Sequence, residues 1–320
     1  MKNKPTFRDN ILLFSDLGGG GAWLAEKLKS LPGTAMLWEP LHKDAGVVDP
    51  NLNFGWTPYI PRDLMWEEAK KDLLDIISGS KLNQWIVSRT RVRDFVHAQR
   101  LLVKFVHGNA LLPWLVNRIS LPVKPIFLVR HPITTSLFQM RSRNKQYDRK
   151  DILDCNQVEF SEYWLQHTEF IKSLTSELEF HVALWCLHNQ PALQAENKDK
   201  YLTVRFEDIV LYGRHELYRL YQDLGFDPTD KNLLSQMNSL DPLDLVRSEP
   251  ENILSLDTWL HQISEQEKER TQRILDHFSI EEYSAFSPYP KAKPEFPKSN
   301  EERVSTIPSS TTYAIDLNPV

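Results

Sequence analysis

The stretch Ile11-Leu12-Leu13-Phe14-Ser15-Asp16-Leu17-Gly18-Gly19-Gly20-Gly21-Ala22-Trp23-Leu24 decides the fold. Ile11–Phe14 reads as a short buried strand and Asp16–Gly21 as a glycine-rich loop. Apolar residues then fall at 22, 24, 25, 28 and 31. This mixed three- and four-residue spacing predicts a helix over Ala22–Leu31. Pro32-Gly33 stops it, and Thr34–Trp38 reads as the next strand. A glycine run between a buried strand and a helix lets backbone N–H groups close around a phosphate, and the helix dipole adds to the attraction. The bland alternative is a tight strand-to-helix turn with no ligand. The run is not a Walker A loop, because the helix opens with Ala22-Trp23 where Lys-Ser/Thr is required. Nor is it a GxGxxG dinucleotide fingerprint, although Glu39 lies near where a ribose-binding acid would fall.

Outward from this unit the alternation continues. Helices are expected at Leu64–Ile77, Ala110–Ile119, Pro132–Arg143, within Val158–Leu174, at Leu178–Gln194 and at Glu216–Leu224. Strands are expected at Trp85–Val87, Leu101–Val106, Ile126–Val129 and Tyr201–Arg205. Strands separated by helices imply an α/β fold with a parallel sheet covered on both faces. Asp44–Arg62, rich in Pro and Gly, reads as a long loop, and Asn232–Tyr283 as helical. Beyond Phe286 the composition shifts, with six of the twenty prolines. We therefore expect one domain over 1–285 and a disordered or surface-draped tail over 286–320.

Composition narrows the function. Of 320 residues, 41% are hydrophobic and 25% charged, which is globular. A net charge of −5 argues against general nucleic-acid binding. Two cysteines rule out a disulfide framework and a Cys-rich zinc site. The first apolar run, Ile11–Phe14, is too short for a signal peptide, and no run reaches membrane-spanning length. A soluble cytoplasmic protein is expected.

Ligands of parallel sheets bind outside the carboxyl ends of the strands, so the strand ends carry the chemistry. Glu39-Pro40-Leu41-His42 ends the second strand, and Glu39 and His42 there could serve as general bases or as simple loop caps. Lys104-Phe105-Val106-His107 ends another, offering His107 as a base and Lys104 as a charge stabiliser, against a purely structural histidine. Arg130-His131-Pro132 follows the most apolar strand, where an Arg can grip phosphate bidentately. Arg205, Glu207 and Asp208 read as a structural ion-pair network.

The order of these motifs resembles the sulfotransferase family, whose members move a sulfonyl group from 3′-phosphoadenosine-5′-phosphosulfate (PAPS) to a hydroxyl or amine. The family's first motif, basic-Ser-Gly-Thr/Ser-Thr-Trp-Leu, binds the 5′-phosphosulfate. Gly18–Leu24 lies on it, with Gly20, Trp23 and Leu24 matching. Glu39–His42 resembles a segment of the bacterial and carbohydrate-directed branches, and Arg130-His131-Pro132 the 3′-phosphate motif. Val204–Ile209, Leu224-Gly225-Phe226 and Trp259 resemble later family features, so the likeness spans about residues 11–285. The departures are as specific. The family's basic residue falls on Gly18, its hydroxyls on Gly21 and Ala22, and the serine after the strand-end Arg on Phe138, with Ser136 two residues early. His107 is one step off the family's base histidine.

The resemblance implies a P-loop-type three-layer α/β/α fold with a central, mostly parallel sheet and a helical C-terminal half. It implies that Gly18, Gly19, Gly20, Gly21 and Ala22 hold the 5′-phosphosulfate through backbone N–H groups, with Trp23 locking the helix start. Arg130, aided by Ser136, would hold the 3′-phosphate. Glu39 is the first choice for the base, ahead of His42 and His107. The co-substrate is PAPS, no metal is expected, and the acceptor is a small molecule or glycan. The lost side-chain donors leave a second expectation, a catalytically silent homologue that binds a nucleotide, glycan or partner. A kinase or NTPase is disfavoured by the missing Lys-Ser/Thr pair.

Overall fold

The computed structural model describes residues 9–142, 162–227 and 256–292. Five strands form one sheet: β1 (Ile11–Ser15), β2 (Thr34–Trp38), β3 (Arg100–Val106), β4 (Ile126–Val129) and β5 (Leu202–Arg205). Their order is β2-β3-β1-β4-β5, and every pairing is parallel. Between and after them run α1 (Gly21–Lys29), α2 (Glu67–Ile77), α3 (Val92–Val96), α4 (Leu112–Arg118), α5 (Pro132–Arg141), α6 (Glu162–Leu165), α7 (Thr168–Ser173), α8 (Glu177–Leu193), α9 (Phe206–Tyr212), α10 (Arg214–Asp223) and α11 (Glu265–His277).

The period-2 geometry of a strand divides the core in two. Ile11 and Leu13 of β1 face α1, α9 and α10, joining Leu24, Leu28, Ile209, Leu217 and Leu220. Leu12 and Phe14 face the other layer with Leu73, Leu115, Val182 and Ile274. These are the three layers expected from the sequence. Helix α8 is buried around almost its whole circumference and packs against α5 and α11. It starts on a capping box in which Ser176 accepts from Glu179 N–H and Glu179 reaches back.

β1 lies at the switch point of the sheet. The chain leaves it toward β2 and β3 on one side, then crosses to β4 and β5 on the other. The crevice therefore opens at the carboxyl end of β1, between the ends of β3 and β4.

Several expectations need correction. Trp85–Val87 is a turn, not a strand, although the Ile86 carbonyl accepts a 2.8 Å hydrogen bond from Trp38 N–H. The short helix α9 starts directly after β5 with no breaking residue, and the sequence reading passes over it. Leu64–Trp66 precede α2 rather than belonging to it. Of the back third, residues 232–255 lie outside the described residues, as does the tail from 293. Residues 286–292 of the expected tail are described, and Lys291 N–H donates to the Glu282 carbonyl, which does not contradict a surface-draped tail. No helix among the described residues is long and apolar enough to cross a membrane.

Candidate functional site

β1 ends at Ser15, the chain turns over Asp16–Gly20, and α1 begins at Gly21 with no side-chain cap. Its first N–H groups thus face the crevice mouth as uncapped donors. Gly18 and Gly20 sit at φ 81° and 84°, in the left-handed region. Packing also demands these glycines. A Cβ on Gly18 would lie 2.6 Å from the Phe138 ring, one on Gly20 would overlap the Phe206 ring, and one on Gly21 would overlap Ser15 Oγ. Gly18 and Phe138, 120 positions apart in the sequence, thus form one packed contact. Ala22 is exposed, and Trp23 packs partly buried against the sheet face covered by α1.

Lys104 supplies a cation that the loop lacks. It pairs with Leu13 in register, so it lies on the α1 face of β3. Its Cε comes within 3.6 Å of the point a Gly21 Cβ would occupy. The residue is only 3% exposed. Burial holds its pKa below the usual lysine value, opposed by Glu39, whose Oε1 accepts from Nζ at 3.1 Å. The ammonium also lies 4.1 Å above the Trp38 ring. Glu39 is held at φ 47°, with its N–H donating to the Lys104 carbonyl at 2.9 Å. Strain of this kind in a non-glycine residue at a strand end marks a position fixed by its surroundings.

Arg130 leaves the end of β4 on the other side of the loop. Its Nη1 donates to the Gly18 carbonyl at 3.0 Å, and its guanidinium stacks 4.2 Å from the Phe206 ring centre. The following turn is held by buried polar groups. His131 N–H donates to Glu207 Oε1 at 2.8 Å, and Tyr283 O–H donates to Oε2 at 3.1 Å. Burial pushes the Glu207 carboxyl up. His131 Nδ1 accepts from Ile133 N–H and caps α5, so its proton sits on Nε2, 3.1 Å from the carbonyls of Ser284 and Ser287. Its ring stacks on Trp259 at 4.7 Å. Burial lowers its pKa to about 4. Arg205 pairs with Asp208 at 3.3 Å, as the structural reading of that cluster expects. Ser136 is buried in α5, and its Oγ has no hydrogen-bond partner among the described residues.

The two candidate histidines lie apart from the Glu39–Lys104 pair's own contacts. His42 Nδ1 accepts from the N–H groups of Asp44 and Ala45, each at 3.2 Å, and its ring meets the edges of Trp56 and Trp85. It organises the loop that follows β2. His107, at φ 63°, is buried with its ring 5.8 Å from that of His188. Beside them lies Asp16, at the start of the glycine loop.

That second cluster was missed by sequence reasoning. Asp16 Oδ1 lies 3.3 Å from His188 Nδ1. Asn189 Nδ2 donates to Asp16 Oδ2 at 2.5 Å, and Asn109 Nδ2 donates to Asn189 Oδ1 at 2.9 Å. The available signal was His188-Asn189 directly after the apolar run Val182–Leu187, since polar residues buried there need partners. Of the loop aromatics, Phe54 is core, and Tyr59 stacks on Tyr163 at 4.4 Å.

No family model and no curated protein matches the chain. Among solved structures it is similar to the mouse sulfotransferase SULT7A1 complexed with PAP. That likeness is at 15% identity over 87% of this chain and 88% of the other, with a TM-score of 0.47. It is also similar to the sulfotransferase domain of the Synechococcus PCC 7002 olefin synthase, at 20% identity, 87% and 98% coverage and a TM-score of 0.42. A third likeness is to the sulfotransferase domain of the curacin biosynthetic pathway, at 18% identity, 85% and 98% coverage and a TM-score of 0.43.

Proposed function

We propose that the chain is a PAPS-dependent sulfotransferase acting on a hydroxyl of a small molecule or glycan. The observation that carries this reading is the placement of Lys104, a buried cation beside Gly21 at the uncapped start of α1. The loop has lost its own basic residue, and the neighbouring strand supplies one. Gly18, Gly19, Gly20, Gly21 and Ala22 offer the 5′-phosphosulfate backbone N–H groups, and Trp23 anchors the helix start. Arg130 and Ser136 are assigned to the 3′-phosphate, with the unpartnered Ser136 hydroxyl as a ready donor. The chemistry is an in-line displacement in which positioning and charge stabilisation dominate. The acceptor oxygen forms a bond to sulfur while the bond from sulfur to the 5′-phosphate oxygen breaks. The acceptor proton goes to Glu39, and 3′-phosphoadenosine-5′-phosphate (PAP) leaves with the electron pair. Glu39 is preferred as base over His42 and His107, whose rings are engaged elsewhere.

The same reading takes residues 1–285 as the catalytic unit, 286–320 as a tail, and the cytoplasm as the location. No metal enters this transfer step, and no nucleic acid is a partner.

A second reading is favoured by one observation. Phe138, Phe206 and Ser15 fill the spaces that side chains on Gly18, Gly20 and Gly21 would need. The loop then holds an anion by backbone alone, as a binding module without turnover would. Incubation with labelled PAPS and a panel of hydroxyl acceptors separates the two. Transferred label, lost in Lys104→Gln, supports the enzyme. PAP binding without transfer supports the module. Neither binding nor transfer overturns both.

A further inference from the structure

The buried groups that the transfer reading leaves unused converge at one point. Asp16, His107 and His188 come from the end of β1, the end of β3 and the middle of α8. They are 5%, 6% and 1% exposed. One ligand atom from each lies within 4.8 Å of the others. The contact between Asp16 Oδ1 and His188 Nδ1, at 3.3 Å, lacks hydrogen-bond geometry, and Oδ1 has no hydrogen-bond partner among the described residues. Two donor atoms about 3.3–3.4 Å apart match the edge of a tetrahedron whose bonds are about 2.0–2.1 Å, the usual Zn–N and Zn–O lengths.

The surroundings fit a ligand set. The other carboxylate oxygen, Asp16 Oδ2, is held by Asn189 Nδ2 at 2.5 Å. Asn189 is itself fixed by the Trp185 carbonyl at 2.8 Å and by Asn109. A carboxylate pinned through one oxygen presents the other, which is how outer residues orient metal ligands. Lys104 pairs with Glu39, and Arg130 donates to the Gly18 carbonyl. A buried carboxylate calls for a compensating positive charge. Two imidazoles and a carboxylate form a borderline N/O donor set, suited to zinc and to divalent iron or cobalt rather than magnesium or calcium.

We propose that Asp16, His107 and His188 bind one divalent transition-metal cation, zinc by preference, tying the start of the glycine loop to the end of β3 and to α8. The site does not rest on the sulfonyl-transfer reading. It was illegible in the sequence because its ligands sit on three distant elements with no motif spacing.

The test uses the full chain, stripped with a chelator and titrated with Zn²⁺ by calorimetry. One equivalent is expected to bind, with at least a hundredfold loss of affinity in Asp16→Asn and in His188→Gln. The double variant His167→Gln/His277→Gln removes another histidine pair, whose nitrogens lie 3.1 Å apart, and is expected to keep full affinity. X-ray absorption of the wild-type zinc form is expected to show two imidazole ligands and only light-atom donors. This measurement serves even if a variant fails to fold. The proposal is overturned if no stoichiometric zinc binds, if binding is lost only in the His167/His277 variant, or if fewer than two imidazoles ligate.

Discussion

At the scale of single residues, the glycine loop is defined by what presses on it. Ser15 Oγ is buried without a hydrogen-bond partner among the described residues and occupies the space of a Gly21 Cβ. Gly21→Ala is therefore expected to destabilise the fold by about 1–3 kcal/mol through overpacking. Ser15→Gly removes both conflicting atoms and is expected to rescue most of that loss. A denaturant-melt double-mutant cycle measures the coupling, and additive effects would count against the contact. Placing a basic residue in the loop as Gly18→Arg is expected to fail by itself, since φ is 81° and Phe138 blocks the way. Lys104→Gln leaves Glu39 without its cation, and PAP is expected to lose most of its stabilising effect in that variant. An unchanged melting shift would remove Lys104 from the site. The placement of Glu39, Lys104 and Arg130 at the carboxyl ends of parallel strands was legible in the sequence, because each apolar run stops there. The contact between Gly18 and Phe138 was not, because it joins two positions that only folding brings together.

At the scale of elements, the turn from β4 into α5 depends on a neutral histidine. His131 has a pKa of about 4 in the fold and about 6.5 in an unfolded chain. Between those values the unfolded state binds the extra proton, so stability rises with pH across that window. Acidification from pH 7 toward 4 is expected to cost up to about 3 kcal/mol from this group. His131→Asn keeps an oxygen that can cap α5 and is expected to make the pH dependence of urea midpoints between pH 7 and 5 shallower, the remainder coming from groups such as His167, which burial also holds at about 4. An equally steep profile in that variant would assign the effect elsewhere. Element boundaries were readable where an apolar run met a breaker, as at Thr34–Trp38 and Ile126–Val129. Trp85–Val87 misled because three apolar residues beside β2 look like a strand, while among the described residues its backbone makes one hydrogen bond to β2 and otherwise closes local turns.

At the scale of the whole molecule, a nucleotide that binds only the folded chain adds RT ln(1 + [L]/Kd), about 2.7 kcal/mol at a hundredfold excess over Kd. PAP is expected to raise the melting temperature accordingly. Arg130→Lys, which keeps charge but loses the fork that reaches Gly18, is expected to reduce the shift. No shift with millimolar PAP would sink the co-substrate assignment. The alternation of strands and helices made the layered fold legible, whereas the strand order was not, because apolar strands do not state their neighbours. That order has a consequence for biosynthesis. β1 leaves the ribosome before both of its partners, Leu102–Val106 and Ile126–Leu128, which follow far later. At about 5–20 residues per second, both of its edges stay open for on the order of ten seconds. A nascent chain halted before β4 is expected to remain protease-sensitive and to recruit chaperones, because the strand synthesised first becomes the middle of a sheet that closes only later.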